Sequence, residues 1–442
     1  KFIMSDQIKI PCIFMRGGTS RGPYFLKKDL PEDTSKRDKI LLAVMGSPDI
    51  RQIDGLGGAE PVKSKVAIID KSKEDGIDVD YYFAQVKIDE PIVDTKPSCG
   101  NILVGVGPYA IEKGLVDVKD GSSQTIFTEN DAAYIDVTDN LTFLNDGKYF
   151  IWTSEKSGYN HIYLYNLKGK QVRQITKGNY DVTDFYGIDE SNNTVYFASS
   201  ERSPMHRDVY AIQLNGKNKK TLANKIGTNS ATFSTNYKYF INQYSNANTP
   251  YYFSLFDANG NEVRMLKDNS NLNNSLAEYA LSQKEFFNFK TTEGIDLNGW
   301  MMKPHNFDKT KQYPVFMYLY GGPGSQQVTD SWGGSNFLWY QMLTQQGYIV
   351  ACVDNRGTGA RGSEFKKCTY QQLGKLETED QIQANRYLAN LPYVDGSRIG
   401  IFGWSYGGYM SSLCLLKGAD EFKMAIAVAP VTNWRYYDTI YT

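Results

Sequence analysis

The sequence predicts a multidomain chain with three successive architectures: an α+β segment at residues 1–121, a partial β-propeller at 122–270 and an incomplete α/β domain at 271–442. Three observations carry this reading. The chain has 442 residues, more than one ordinary domain holds. Its middle shows an internal period of 43 to 47 residues, the length of a four-stranded propeller blade. Beyond about residue 281, short apolar runs alternate with helix-compatible stretches, the pattern of a parallel sheet covered on both faces.

In the first zone Ile8–Phe14, Lys65–Ile69 and Tyr81–Ile88 read as strands between loops rich in Gly and Pro, and Gly105–Gly114 reads as a helix. The second zone is made of short strands separated by Asn, Asp and Gly turns. A Tyr-Phe pair recurs at Tyr149-Phe150, Tyr196-Phe197 and Tyr239-Phe240. An aromatic of the next strand follows at Tyr163, Tyr210 and Phe253, and a turn glycine at Gly169, Gly216 and Gly260. Markers that keep one spacing predict about three repeated blades. In the third zone Pro314–Leu319, Ile349–Asp354, Arg398–Phe402 and Met424–Ala429 are the expected strands, with a helix at Glu379–Leu391.

Composition narrows the function classes. Hydrophobic residues at 41% and charged residues at 22% belong to a folded chain, not a disordered one. With 48 Lys plus Arg against 49 Asp plus Glu the net charge is -1, so no nucleic-acid partner is expected. Three His are few for a His-based metal centre. The cysteines Cys12, Cys99, Cys352, Cys368 and Cys414 include no CxxC, so neither a disulfide scaffold nor a structural zinc is indicated, and no cofactor is expected. The longest strongly apolar run, Met424–Val431, is far short of a membrane span. The opening Lys-Phe-Ile-Met lacks the layout of a secretion signal, and Met4 reads as a natural start.

The sharpest motif is Gly403-Trp404-Ser405-Tyr406-Gly407-Gly408 between a predicted strand and a helix-compatible stretch, Tyr409–Leu416. This is the G-x-S-x-G nucleophile elbow, where small residues let a strained turn lift the hydroxyl clear of the sheet. The Tyr406 N–H then faces the place where an oxyanion forms. Together with Tyr320-Gly-Gly-Pro-Gly-Ser-Gln, Asp354-Asn-Arg-Gly-Thr-Gly and Ala429-Pro-Val-Thr-Asn-Trp-Arg-Tyr-Tyr-Asp, the segment 122–442 strongly resembles the dipeptidyl peptidase IV type of the prolyl oligopeptidase family. The resemblance implies a β-propeller joined to an α/β-hydrolase domain. It further implies Ser405 as nucleophile, the Tyr320 hydroxyl and Tyr406 amide as oxyanion donors, and a proline pocket of Tyr406, Val431, Trp434, Tyr437 and Tyr441. The implied substrate is a peptide with a penultimate Pro or Ala, and full-length members are often homodimeric. Without the resemblance, ordinary core packing is the plainer reading of the Trp-Tyr cluster.

In α/β-hydrolases the triad runs Ser, Asp, His, yet no His follows Ser405. His161, His206 and His305 all precede it and read as structural or surface residues, and Asp438 comes too soon to be the triad acid. The paired glutamates that hold the substrate amine in this family have no counterpart here. The expectation is an inactive or nearly inactive peptidase.

The first zone points elsewhere. Met15-Arg-Gly-Gly-Thr-Ser-Arg-Gly22 reads as a glycine-rich loop able to cradle a carboxylate. With Arg51-Gln-Ile-Asp-Gly-Leu-Gly-Gly, Ser64-Lys65-Val66 and Pro97-Ser98-Cys99-Gly100-Asn101 it resembles the PrpF-type methylaconitate isomerase and oxalomesaconate tautomerase family. That resemblance implies a fragment of the diaminopimelate-epimerase fold. It also implies Lys65 and Cys99 as the acid–base pair, and Gly17, Gly18, Thr19 and Ser20 as carboxylate ligands. Peptidase relatives are periplasmic or secreted and isomerase relatives cytoplasmic, so the compartment stays open. Two such families near a junction at Asp117–Ser123 suggest a chimeric or misassembled reading frame, a natural fusion being the other reading. Three functions follow as rivals: a serine exopeptidase, an isomerase, and a non-enzymatic propeller fragment, the last expected to aggregate through unpaired strand edges.

Overall fold

Strand alternation builds the first sheet. The computed structural model describes residues 9–17, 20–74, 76–97, 99–116, 125–136 and 138–434, and the chain divides into two units, Lys1–Gln124 and Thr125–Thr442. In the first unit β1 (Ile13–Gly17), β2 (Ser20–Leu26), β3 (Lys65–Lys71), β4 (Val79–Val86) and β5 (Val93–Asp94) form one sheet in that order. Only β2 and β3 run parallel. Phe25, Val66 and Ala84 face helix α1 (Thr34–Met45), while Tyr24, Ala67 and Phe83 face α2 (Gly100–Leu103) and α3 (Val106–Glu112). A sheet covered on both faces needs apolar residues at successive positions, hence the unbroken Val66–Ile69 run. Asp33 starts α1 by accepting the Lys36 N–H at 2.8 Å, and Gly46 ends it at φ 79, a left-handed angle that favours glycine.

Two expectations fail here. The strand expected at Ile8–Phe14 begins at Ile13 and continues to Gly17, because Pro11 has no N–H to give a ladder. The supposed loop at Met15–Gly22 is the β1–β2 hairpin: Met15 pairs with Gly22 and Gly17 with Ser20. Gly17 and Gly22 serve close approach rather than loop freedom. A Cβ at Gly17 would stand 2.0 Å from the Asn101 carbonyl oxygen, and one at Gly22 1.8 Å from that of Lys65.

The second unit opens with three four-stranded antiparallel sheets. They are β6 (Thr142–Phe143), β7 (Tyr149–Ser154), β8 (His161–Asn166) and β9 (Gln171–Gln174); then β10 (Val182–Asp189), β11 (Thr194–Ser199), β12 (Asp208–Gln213) and β13 (Lys220–Ala223); then β14 (Thr228–Phe233), β15 (Tyr239–Asn246), β16 (Thr249–Asp257) and β17 (Glu262–Lys267). The repeated markers align only in part: Tyr149 pairs with Asn166 and Tyr239 with Asp257, but it is Thr194 that pairs with Gln213, so Tyr196-Phe197 lies two residues further along its strand. Phe150 and Phe240 are second in their strands and Phe197 fourth in its own, and all three are buried, to 2%, 1% and 0% exposure. Tyr163, Tyr210 and Phe253 lie on each third strand, and Gly169, Gly216 and Gly260 turn into the fourth at φ 73, 77 and 81.

After α4 (Ser270–Ala277) a six-stranded sheet follows. Its strands are β18 (Lys284–Lys290), β19 (Asp296–Met302), β20 (Tyr313–Tyr318), β21 (Ile349–Asp354), β22 (Val394–Trp404) and β23 (Met424–Val428), in the order β18-β19-β21-β20-β22-β23. β21, β20, β22 and β23 run parallel to one another. Helix α5 (Gly334–Gln345) packs with Val350 and Cys352 on one face. The short α6 (Gly362–Lys367) comes next, and α7 (Leu376–Ala389) and α8 (Tyr406–Lys417) cover Val353, Ile399 and Ile401 on the other face. The chain leaves β20 to one side for β21 and returns to the other side for β22. The carboxyl ends of β20 and β22 therefore flank the switch point, the natural crevice of such a sheet.

Candidate active site

Ser405 stands in that crevice, on the turn between β22 and α8, at φ 58 and ψ −116. A residue with a side chain at such an angle is strained and is held only by its surroundings. The surroundings are tight backbone approaches. A Cβ would meet the Gly407 oxygen at 2.2 Å from Gly403, the Leu319 oxygen at 2.3 Å from Gly407, and the Val428 oxygen at 2.7 Å from Gly408. The Ser405 N–H bonds Val428 O of β23 at 2.9 Å, and its carbonyl accepts the Tyr409 N–H at 3.0 Å. The Tyr406 amide is the first of α8, where N–H groups have no partner inside the helix and the helix end carries positive charge.

Register brings in Tyr320. Tyr318 pairs with Phe402, and the Leu319 N–H bonds Phe402 O at 3.0 Å, so Tyr320 emerges beside Trp404. Its ring centroid lies 6.1 Å from that of Tyr406. The loop carrying it is fixed from below. Gln381 of α7 donates to Val353 O at 2.8 Å and to Asn355 Oδ1 at 3.0 Å, and Asn355 donates in turn to Gly321 O at 3.0 Å.

The Tyr406 hydroxyl points into the protein, donating to buried Glu377 of α7 at 2.6 Å. Burial, followed by the Glu377 charge, pushes this phenol far above the ordinary tyrosine range, and burial likewise raises the Glu377 carboxyl. Tyr406 therefore offers the crevice its ring and its amide. Trp434 packs 5.5 Å from that ring and 5.4 Å from Tyr409, and Val431 is buried to 8% exposure. Tyr437, Tyr441 and Asp438 lie outside the described residues.

None of the three imidazoles bonds Ser405. His161 on β8 is buried, with Nδ1 3.0 Å from Thr176 Oγ1 and Nε2 3.0 Å from Gly178 O. His206 pairs with Asp330 at 3.2 Å, and His305 is exposed in the turn after β19. Sequence reasoning missed the supports on α7. Glu377, Asp380 and Gln381 are spaced to share one helix face, and all three are buried. Asp380 holds Arg356 by its guanidinium at 2.7 Å and by its backbone N–H at 2.7 Å. The i, i+3, i+4 spacing of Glu377, Asp380 and Gln381 was the available signal, on a helix that is polar over much of its length.

In the first unit the structure brings Lys65, Cys99 and Ser20 together. Lys65 Nζ lies 3.2 Å from Cys99 Sγ and 3.1 Å from Ser20 Oγ, and Ser20 Oγ lies 4.0 Å from Cys99 Sγ. Burial raises the Cys99 thiol, but the Ile102 amide, the Lys65 ammonium and the Ser20 hydroxyl outweigh it and hold the thiol below its ordinary value. Gly17 sits against Asn101 in the sheet; Gly18 and Thr19 lie outside the described residues. Among the described residues no His, Cys, Asp or Glu cluster is arranged for a metal ion, and no helix is long and apolar enough to cross a membrane.

Comparison with known proteins finds three family matches along the chain. Residues 7–136 match the PrpF protein family, 111–251 the dipeptidyl peptidase IV N-terminal region, and 335–442 the prolyl oligopeptidase family. The "Probable dipeptidyl peptidase 4" of Aspergillus flavus is 36% identical over 298 residues, covering 66% of this chain and 38% of the relative. The "Probable dipeptidyl-aminopeptidase B" of Trichophyton verrucosum is 33% identical over 410 residues, covering 87% and 45%. The crystal structure of Porphyromonas gingivalis dipeptidyl peptidase 4 matches with a TM-score of 0.68 and 43% identity, over 82% of this chain and 47% of that one. The chain thus spans less than half the length of these relatives. It joins a segment that matches the PrpF family to segments that match the dipeptidyl peptidase IV N-terminal region and the prolyl oligopeptidase family.

Proposed function

We propose that residues 125–442 form the nucleophile-bearing part of a dipeptidyl peptidase that cuts after a penultimate Pro or Ala. The observation that carries this is the left-handed Ser405, held up by the three glycine approaches at the β22–α8 turn. Ser405 Oγ attacks the carbonyl carbon. As the C–O bond forms, the carbonyl electron pair moves to oxygen, where the Tyr406 N–H and Tyr320 hydroxyl receive it. The C–N bond then breaks, the amine leaves with the serine proton, and water later cleaves the ester. The Tyr406 ring with Val431 and Trp434 suits a pyrrolidine ring, a flat apolar body without an N–H.

The proton from Oγ needs an acceptor, and within these residues no imidazole meets Ser405. Loss of the base in a serine triad costs on the order of 10⁶ in turnover, so this chain alone is expected to hydrolyse very slowly while keeping its pocket. Binding is the right test. A peptide boronic acid ending in a proline analogue should bind at least about tenfold more tightly than its leucine counterpart, and Ser405→Ala should remove the covalent adduct. Equal binding of both, or an adduct that survives Ser405→Ala, contradicts the reading.

A second reading applies to the first unit, favoured by the 3.2 Å Lys65–Cys99 contact. As part of a diaminopimelate-epimerase-like fold, it would hold a tricarboxylic acid of the methylaconitate type with Gly17, Gly18, Thr19 and Ser20. Cys99 as thiolate would take a proton from the carbon beside a carboxylate, and the Lys65 ammonium would return one to the allylic position. Incubation with methylaconitate in D2O should put deuterium into the acid, with none in Cys99→Ser. Deuterium uptake unchanged in Cys99→Ser, or none with either protein, contradicts it.

A further inference from the structure

We propose that the small cavity between β18, β19 and the start of α5 is a binding site for a small monovalent anion, a carboxylate or a halide. The cavity measures about 150 Å³, several times what one water needs, and Lys284, Trp300, Tyr340, Gly333 and Asn336 are among the residues lining it.

Its chemistry is that of an anion host. Lys284 opens β18 on the face it shares with Trp300, and is only 7% exposed. The ammonium lies 4.7 Å from the Trp300 ring and makes no hydrogen bond or ion pair with a described residue. A buried cation without a counter-charge is costly, so its environment calls for one. The nearby carboxylates are already taken. Asp330 accepts the Ala247 N–H at 2.8 Å and faces His206 at 3.2 Å; Asp354 accepts the Gln327 and Val328 N–H groups at 2.9 and 2.8 Å. Burial lowers the Lys284 ammonium from its ordinary value, and Cys352 and Asp330 offset only part of that.

A second, independent feature converges on the same space. The 12-residue helix α5 begins there, and Gly333, its N-cap, supplies no capping side chain. The first amide of the helix to turn back inward is Phe337 N–H, at 3.4 Å from Gly333 O. The N–H groups of Gly334, Ser335 and Asn336 thus have no acceptor among the described residues, and they carry the positive end of the helix. The Tyr340 ring of the next turn lies tilted 5.2 Å from Trp300, and its hydroxyl likewise has no described partner. An ammonium, a helix start and a phenol around one small cavity are complementary to a compact anion.

An occupant would also bear on the seam between the propeller and the hydrolase sheet. Asn248, in the β15–β16 turn, grips both backbone groups of Lys284, at 2.7 Å to its N–H and 3.0 Å to its carbonyl.

The test is thermal unfolding of the full chain at constant ionic strength, with acetate or chloride replacing a sulfonate too large for the cavity. A saturable rise in Tm is expected. Its half-saturating concentration should increase at least about tenfold in Lys284→Met and several-fold in Tyr340→Phe, the change expected when a charge-assisted hydrogen bond is lost. Tighter response to acetate assigns the site to carboxylates, and to chloride, to halides. Line broadening of chloride-35 by the unmodified chain, relieved by a competing anion, reads the same site even if Lys284→Met does not fold. A flat Tm and unbroadened chloride overturn the proposal, as does an equal response in all three proteins.

Discussion

At the scale of single residues, glycines and one lysine decide the two candidate sites. Gly407 cannot take a methyl group without moving the Leu319 backbone, because a Cβ there would lie 2.3 Å from a carbonyl oxygen. Gly407→Ala should therefore lower stability by about 2 kcal/mol or more in denaturant unfolding, whereas Gly100→Ala, where nothing lies within 4 Å, should stay within about 0.5 kcal/mol. Lys65 makes a different prediction. Its ammonium favours the Cys99 thiolate, so the thiol ionises below the ordinary 9.0. A lowered folded value contributes stability that is present above 9.0 and lost as pH falls through the folded value. Lys65→Met should shift the pH midpoint of Cys99 alkylation upward, read peptide by peptide by mass spectrometry so that exposed Cys12 does not mask it. An unmoved midpoint would dissociate the pair.

At the scale of elements, α7 is the part of the site that the sequence hid. The elbow was legible because its chemistry is local: a serine, glycines at fixed offsets, a strand before and a helix after. The α7 supports were not, since Glu377, Asp380 and Gln381 act on Tyr406, Arg356 and Asn355 far along the chain, and a run of polar residues on a helix ordinarily faces water. The same limit produced one of the two misread segments. The glycines of Met15–Gly22 suggested a loop because their partners, Asn101 and Lys65, are distant in sequence. The propeller markers, by contrast, repeat every blade, and a repeat announces itself without any partner. Asp380→Ala leaves Arg356, with 13% of its side chain exposed, without its buried carboxylate. It should cost about 3–5 kcal/mol, while Glu379→Ala, which removes a half-exposed contact at 3.9 Å, should cost less than about 1 kcal/mol. Paired chemical denaturation curves measure both.

At the scale of the whole molecule, strand edges and the missing proton acceptor govern behaviour. Among the described residues β23 is paired on one side only, and Met424 and Ile426 on it are 46% and 40% exposed. Such an edge is a template for association. Light scattering should show concentration-dependent self-association that Ile426→Lys reduces; an unchanged second virial coefficient would remove the edge as its cause. The most direct measurement of the central claim is the release of nitroaniline from a Gly-Pro anilide by the full chain and by Ser405→Ala. With Ser405 as the proposed nucleophile and no imidazole bonded to it, very slow turnover is expected of both proteins. A fast rate that disappears in Ser405→Ala would contradict it, because some group of this chain would then be taking the serine proton.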